Sequence, residues 1–107
     1  MSKPAREYEL AEEADRDLLA IARCTIKEWG VPQTRRYESA LKECFTAIGK
    51  RKIRGRIFLK HRPELPFVHC EHHFIFYLIR DDQCPIILAV LHERMDLTAR
   101  LNKRLPS

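Results

Sequence analysis

Two apolar runs in the last third of the chain, His72-His73-Phe74-Ile75-Phe76-Tyr77-Leu78-Ile79 and Ile86-Ile87-Leu88-Ala89-Val90-Leu91, limit the fold most. The turn-forming segment Asp81-Asp82-Gln83-Cys84 separates them, which predicts two paired strands with a short connection. Successive residues of a strand point to opposite faces of its sheet. Phe74, Phe76 and Leu78 therefore oppose His73, Ile75, Tyr77 and Ile79, while Ile86, Leu88 and Val90 oppose Ile87, Ala89 and Leu91. All four sets are dominantly apolar, whereas a sheet with one solvated face alternates apolar with polar residues. Both faces need cover.

Upstream residues supply cover for one face. Glu7-Tyr8-Glu9-Leu10 alternates as a short edge strand would, and Ala11 opens a helical pattern. Ala14, Leu18, Ile21, Ala22, Thr25 and Trp29 recur at spacings of three and four, with acids clustered at the N-terminal end where the helix dipole favours them. Gly30 ends this helix and Pro32 sits in the first turn of the next. Tyr37, Ala40, Leu41, Cys44, Phe45 and Ile48 form its apolar stripe. Two helices so closely joined make a hairpin, and neither stripe is broad enough to fold without a sheet to pack on.

A basic loop follows, with a strand expected around Ile57–Leu59, then strands over Leu65–Cys70, His72–Arg80 and Pro85–His92, and a short helical segment from Leu97. The predicted fold is α+β, in the order β-α-α-β-β-β: a helical hairpin on a small antiparallel sheet, with a short C-terminal helix. The second sheet face must meet that helix, the basic loop, a second copy, or a partner protein.

At 107 residues the chain has room for one core, so residues 1–107 are read as a single domain. The N-terminus lacks the apolar segment of a signal peptide, and no run is long and apolar enough to span a membrane. A cytoplasmic protein without membrane contact is expected. Cys24, Cys44, Cys70 and Cys84 stand far apart in apolar or helical surroundings and are expected to be free, mostly buried thiols. The net charge of +5 has one source, because Lys50–Arg62 holds seven Lys and Arg and no acid.

His69-Cys70-Glu71-His72-His73 contains zinc-ligand types. In an extended strand, however, His69, Glu71 and His73 face one way and Cys70 and His72 the other, and no second ligand cluster exists. No metal is expected, and no cofactor motif is present. The basic run could meet phosphates or an acidic protein surface, and Phe58 and Phe67 beside it serve equally as core. For catalysis, His92, Arg94, Tyr77, Arg80 and Lys60 are the only plausible contributors near the strand ends.

Several segments in order resemble the ParE-type toxins of the ParE/RelE toxin–antitoxin superfamily. They are Tyr8-Glu9-Leu10, Ala14 with Asp17-Leu18, Glu28-Trp29-Gly30, Tyr37 with Leu41, His73-Phe74-Ile75-Phe76-Tyr77, and Val90-Leu91-His92-Glu93-Arg94-Met95-Asp96. The resemblance implies a non-enzymatic poison of DNA gyrase, neutralised by a ParD-like antitoxin that makes most of the complex's DNA contacts. On this reading His92, Arg94, Met95, Asp96, Arg54 and Arg56 are candidates for target contact, and Phe67, Ile75, Tyr77, Ile79 and Ile87 for antitoxin contact. Asp96 has a structural alternative as the cap of the last helix, and Arg94 as the partner of a nearby acid. Ala11 stands where the family often has a capping Ser, and Pro66-Phe67 where relatives often carry Arg. The alternatives are a RelE-like ribosome-dependent ribonuclease using His92, Arg94 or Tyr77, and a non-toxic interaction domain on the same fold.

Overall fold

The computed structural model describes residues 7–105. In chain order the elements are β1 (Glu9–Leu10), α1 (Glu12–Trp29), α2 (Val31–Gly49), β2 (Arg56–Ile57), β3 (Pro66–Cys70), β4 (His73–Leu78), β5 (Ile86–His92) and α3 (Leu97–Arg104). The strands form one sheet in the order β1-β5-β4-β3-β2. β2 through β5 pair antiparallel, as the closely spaced apolar runs require. β1 joins β5 in parallel, which makes the sheet mixed. The small β2 overlaps the strand expected around Ile57–Leu59 only at Ile57, starting one residue earlier and ending two earlier.

The helical hairpin covers one sheet face. Ala14, Leu41, Phe45 and Ile48 meet Ile75, Tyr77, Ile87 and Val90 in one buried cluster. Gly30, at φ +85°, reverses the chain between α1 and α2, a conformation that costs a side-chain-bearing residue far more. Trp29, read as part of the α1 apolar face, is instead 70% exposed. The hairpin tip carries Ile26, Trp29 and Val31 into solvent.

The opposite face is covered from within the chain. Leu59 and Phe58 from the basic loop and Leu97, Leu101 and Leu105 from the C-terminal segment close over Phe76, Ala89 and Leu91. Phe58, Phe67, Phe74 and Phe76 pack there with ring centroids 5.3–5.8 Å apart, three of the four contacts edge-to-face. Loop and tail therefore do what the two-sided apolar pattern demanded.

The faces of β5 differ from simple alternation. Phe76 pairs with Ala89 and the next residue, Tyr77, pairs with Ile87, so Leu88 is an extra residue in β5, a β-bulge. Val90 consequently lies on the hairpin face with Ile87, while Leu88, Ala89 and Leu91 pack on the other. The thiols also differ from expectation: Cys70 is buried, Cys44 and Cys84 are half-buried, and Cys24 is exposed on α1.

Candidate functional site

Two groups of polar side chains lie at opposite ends of the sheet. The antiparallel register puts His73 beside His92 at one end and Leu78 beside Ile86 at the other.

At the Leu78 end, the basic loop curls over the strand ends to form a cavity of about 500 Å³. Arg51, Lys52, Arg54 and Arg80 supply its charge, and Ile48, Ile53, Ile57 and Ile79 its apolar lining. Among the described residues, no acidic side chain lines it. The Gly55 N–H donates to the Tyr77 hydroxyl at 3.0 Å, which fixes the loop to the sheet. A Cβ on residue 55 would collide with that hydroxyl and lie 2.8 Å from Pro66 Cβ, so only glycine permits the approach. Burial pushes the Tyr77 phenol above its ordinary pKa, and it stays protonated as a fixed anchor. Arg80 donates from Nε and Nη2 to the Cys84 carbonyl at 3.0 and 2.6 Å and lies 3.5 Å from Glu9. Arg51, Lys52 and Arg54 are exposed. This arrangement suits a ligand that brings negative charge at its rim and apolar groups to its floor.

At the other end, four of the five histidines gather. His69 Nε2 lies 2.9 Å and His72 Nδ1 3.2 Å from the two oxygens of Glu93, and these hydrogen bonds hold the carboxyl below its usual pKa. Tyr37 on α2 donates its hydroxyl to His73 Nδ1 at 2.6 Å and accepts the His72 N–H at 3.0 Å. Burial, then the neighbouring His92 ring 5.1 Å away, depress His73 to about 4. It is therefore neutral at pH 7, and with Nδ1 accepting, the assigned tautomer carries its proton on Nε2. Burial raises the Tyr37 phenol.

The His-rich tract does not run as one strand. Glu71, at φ +55°, and His72 make the turn between β3 and β4, which places Cys70 and His73 on the same face as cross-strand partners. Among the described residues, no three His, Cys, Asp or Glu side chains are arranged to hold a metal ion.

The structure sorts the sequence-derived candidates. Ile75 and Ile87 have no exposed surface and are core beneath the hairpin, whereas Tyr77, 6% exposed and packed in the same core, also lines the cavity, where its hydroxyl holds Gly55. Strand alternation separates the two faces but does not say which one the helices take. Phe67 is half-buried in the aromatic cluster, whereas Ile79 is 48% exposed at the cavity. Arg54 lines the cavity and Arg56 is exposed on β2. Asp96 caps α3, its Oδ1 accepting the Ala99 N–H at 3.1 Å. The Arg94 N–H donates to His92 Nδ1 at 3.1 Å, while the side chains of Arg94 and Met95 are exposed. His92, Arg94 and Tyr77 do not converge: Ile87, the partner of Tyr77, lies five residues before His92 on β5, roughly 15 Å away at strand rise.

The sequence reading did not single out Arg51 and Lys52 as cavity residues. Their membership of an acid-free basic run was the available signal, but only the folded loop shows where they point. No helix among the described residues is long and apolar enough to cross a membrane.

Comparison with known proteins adds to this geometry. Residues 8–97 match the family described as ParE toxin of type II toxin–antitoxin system, parDE. Toxin ParE of Escherichia coli is 40% identical over 102 residues, covering 92% of this chain and 95% of that protein. Toxin ParE1 of Mycobacterium tuberculosis is 29% identical over 94 residues, covering 88% and 96%. A solved chain from the chromosomal ParDE TA system of P. aeruginosa superimposes with a TM-score of 0.69 at 15% identity, covering 79% of this chain and 92% of that one. That last likeness concerns the fold.

Proposed function

The chain belongs to the ParE toxin family of type II toxin–antitoxin systems, and from that premise we propose that it acts by binding, poisoning DNA gyrase until a ParD-like antitoxin neutralises it. One observation carries the reading. The cavity at the Leu78 end holds Arg54, a target-contact candidate, beside Ile79, an antitoxin-contact candidate. A single surface that serves both partners gives neutralisation by competition: an antitoxin tail with acids for the cavity rim and apolar groups for its floor covers what gyrase would meet. Arg56, exposed on β2 beside the cavity residue Ile57, extends the target-facing charge, and the exposed pair Arg94 and Met95 offers a separate contact area at the His92 end of the sheet.

Binding without catalysis is supported by the separation of Tyr77 from His92 and by the use of the Tyr77 hydroxyl to hold Gly55. An acid–base pair must reach the same reacting atoms, and these two sit at different ends of the sheet. The protein works in the cytoplasm, where gyrase is found, and needs no cofactor. In the toxin–antitoxin complex, DNA is held mainly by the antitoxin.

The test is a gyrase supercoiling and DNA-cleavage assay on the purified chain, with and without its antitoxin, alongside mRNA cleavage on ribosomes. Accumulated cleaved DNA with intact mRNA is the expected result. Arg54→Glu should weaken antitoxin binding about tenfold, the scale of one interfacial charge interaction, and should reduce gyrase poisoning in parallel. Cut mRNA with unaffected gyrase would replace this reading with the RelE-like ribonuclease. Inactivity in both assays would replace it with a non-toxic interaction domain.

A further inference from the structure

Cys44 and Cys70 come from different elements and meet at the interface between the hairpin and the sheet. Cys44 lies on the α2 apolar stripe between Leu41 and Ile48, and Cys70 is the last residue of β3, 6% exposed. Their sulfurs are 2.7 Å apart, closer than two thiols ordinarily pack. The carbonyl of Ala40, one turn before Cys44, lies 3.7 Å from the Cys70 sulfur. Neither Cys24 nor Cys84 has another sulfur beside it among the described residues; Cys84 instead faces Arg80 and Glu9.

We propose that Cys44 and Cys70 are an oxidant-responsive pair that closes to a disulfide and staples α2 to β3. Reducing cytosol keeps such pairs open, and those that form there are usually transient and redox-sensing. The two thiols differ in a way that orders the chemistry. Cys44 is half-buried and reachable from solvent, whereas burial and the adjoining Cys44 push the Cys70 thiol up to about 12. The accessible thiol therefore reacts first.

The oxidant is a hydroperoxide. The Cys44 thiolate attacks the terminal oxygen, the O–O bond breaks, and the second oxygen leaves as water or an alcohol after taking up a proton. Cys44 is then a sulfenic acid. The Cys70 sulfur attacks the Cys44 sulfur, the S–OH bond breaks, and hydroxide leaves as water with the Cys70 proton. Two thiols are oxidised by two electrons and the peroxide is reduced by two. The pair spans 26 positions of sequence, so closing it restricts the unfolded chain and should raise Tm by on the order of 10 °C.

The test treats the reduced full-length chain with hydrogen peroxide and counts free thiols after denaturation. Loss of two of the four thiols, a mass lower by two hydrogens, a mapped Cys44–Cys70 peptide and a Tm rise reversed by dithiothreitol are expected. The Cys24→Ser/Cys84→Ser double variant should respond as the parent does, and Cys44→Ser should not. If Cys44→Ser fails to fold, the peptide map of the parent decides alone. Four surviving thiols, a cross-link through Cys24, a disulfide-joined dimer, or oxygen added to Cys44 without a cross-link would each overturn the proposal.

Discussion

Arg104 of α3 grips Asp17 of α1 with two hydrogen bonds, Nη1 to Oδ2 at 2.6 Å and Nη2 to Oδ1 at 2.7 Å. The same Asp17 Oδ2 accepts the Val90 N–H of β5 at 2.9 Å. One carboxylate thus ties together the first helix, a central strand and the C-terminal helix. Glu13 adds a contact to Arg104 at 3.2 Å. Asp17 and Arg104 are both 14% exposed, so water screens them far less than a surface pair.

Arg104→Ala should destabilise the fold by about 2–3 kcal/mol, because it leaves a largely buried carboxylate with one remaining donor. Urea unfolding of Arg104→Ala, Asp17→Asn and the double variant measures this. A coupling energy above about 1 kcal/mol is expected for a pair in direct contact. A loss below 0.5 kcal/mol, the scale of ordinary surface substitutions, would reduce the contact to a surface ion pair.

His73 should make stability fall on mild acidification. Its folded pKa, about 4, lies below the ordinary value of 6.5, so the unfolded chain takes up the proton first as pH falls. The contribution is intact above pH 6.5 and is lost progressively down to about 4, up to about 3 kcal/mol in all. His73→Gln keeps an acceptor for the Tyr37 hydroxyl and should flatten the profile between pH 6.5 and 4.5. An unchanged slope in that variant would assign the acid sensitivity to other groups.

Gly55→Ala should cost about 2 kcal/mol or more, from the collision of the new Cβ with the Tyr77 hydroxyl and its crowding of Pro66. Tyr77→Phe removes only the acceptor for the Gly55 N–H and should cost about 1 kcal/mol. Combining the two separates the causes. The double variant should recover part of the Gly55→Ala loss, because the hydroxyl that meets the new methyl is gone.

Ala11→Ser should stabilise the protein by about 0.5–1 kcal/mol. Ala11 is the N-cap of α1, at φ −65° and ψ 152°, with no side-chain hydrogen bond to the helix. A serine fits that conformation and supplies an acceptor for an unpaired N–H of the first turn. A rise in Tm with no change in antitoxin affinity is the expected outcome, measured by calorimetry and titration.

How far the sequence could be read depends on the range of the interaction concerned. The helices of the hairpin, the Gly30 reversal, the paired strands and the Asp96 cap follow from spacing and local backbone preference, since each is set within a few residues. The resemblance in Tyr8-Glu9-Leu10 through Asp96 agrees with the family match, because it rests on the order of those same local segments. The demand for two covered faces was equally plain from Phe74 to Leu91.

Tertiary structure decided which side chains became surface. Ile75 and Ile87 look as available as Ile79 in a strand pattern, yet the hairpin closes over the first two and stops short of the third. The Leu88 bulge moved Val90 to the hairpin face, a choice made by pairing with β4 and invisible to a two-residue period. Arg54 and Arg80 meet at one cavity only because the basic loop folds back onto the far strand ends. Asp17 finds Arg104 across 87 positions of sequence. Local periodicity fixes what each segment becomes, whereas contacts between distant segments exist only after the chain has closed, and these determine the core and the candidate site.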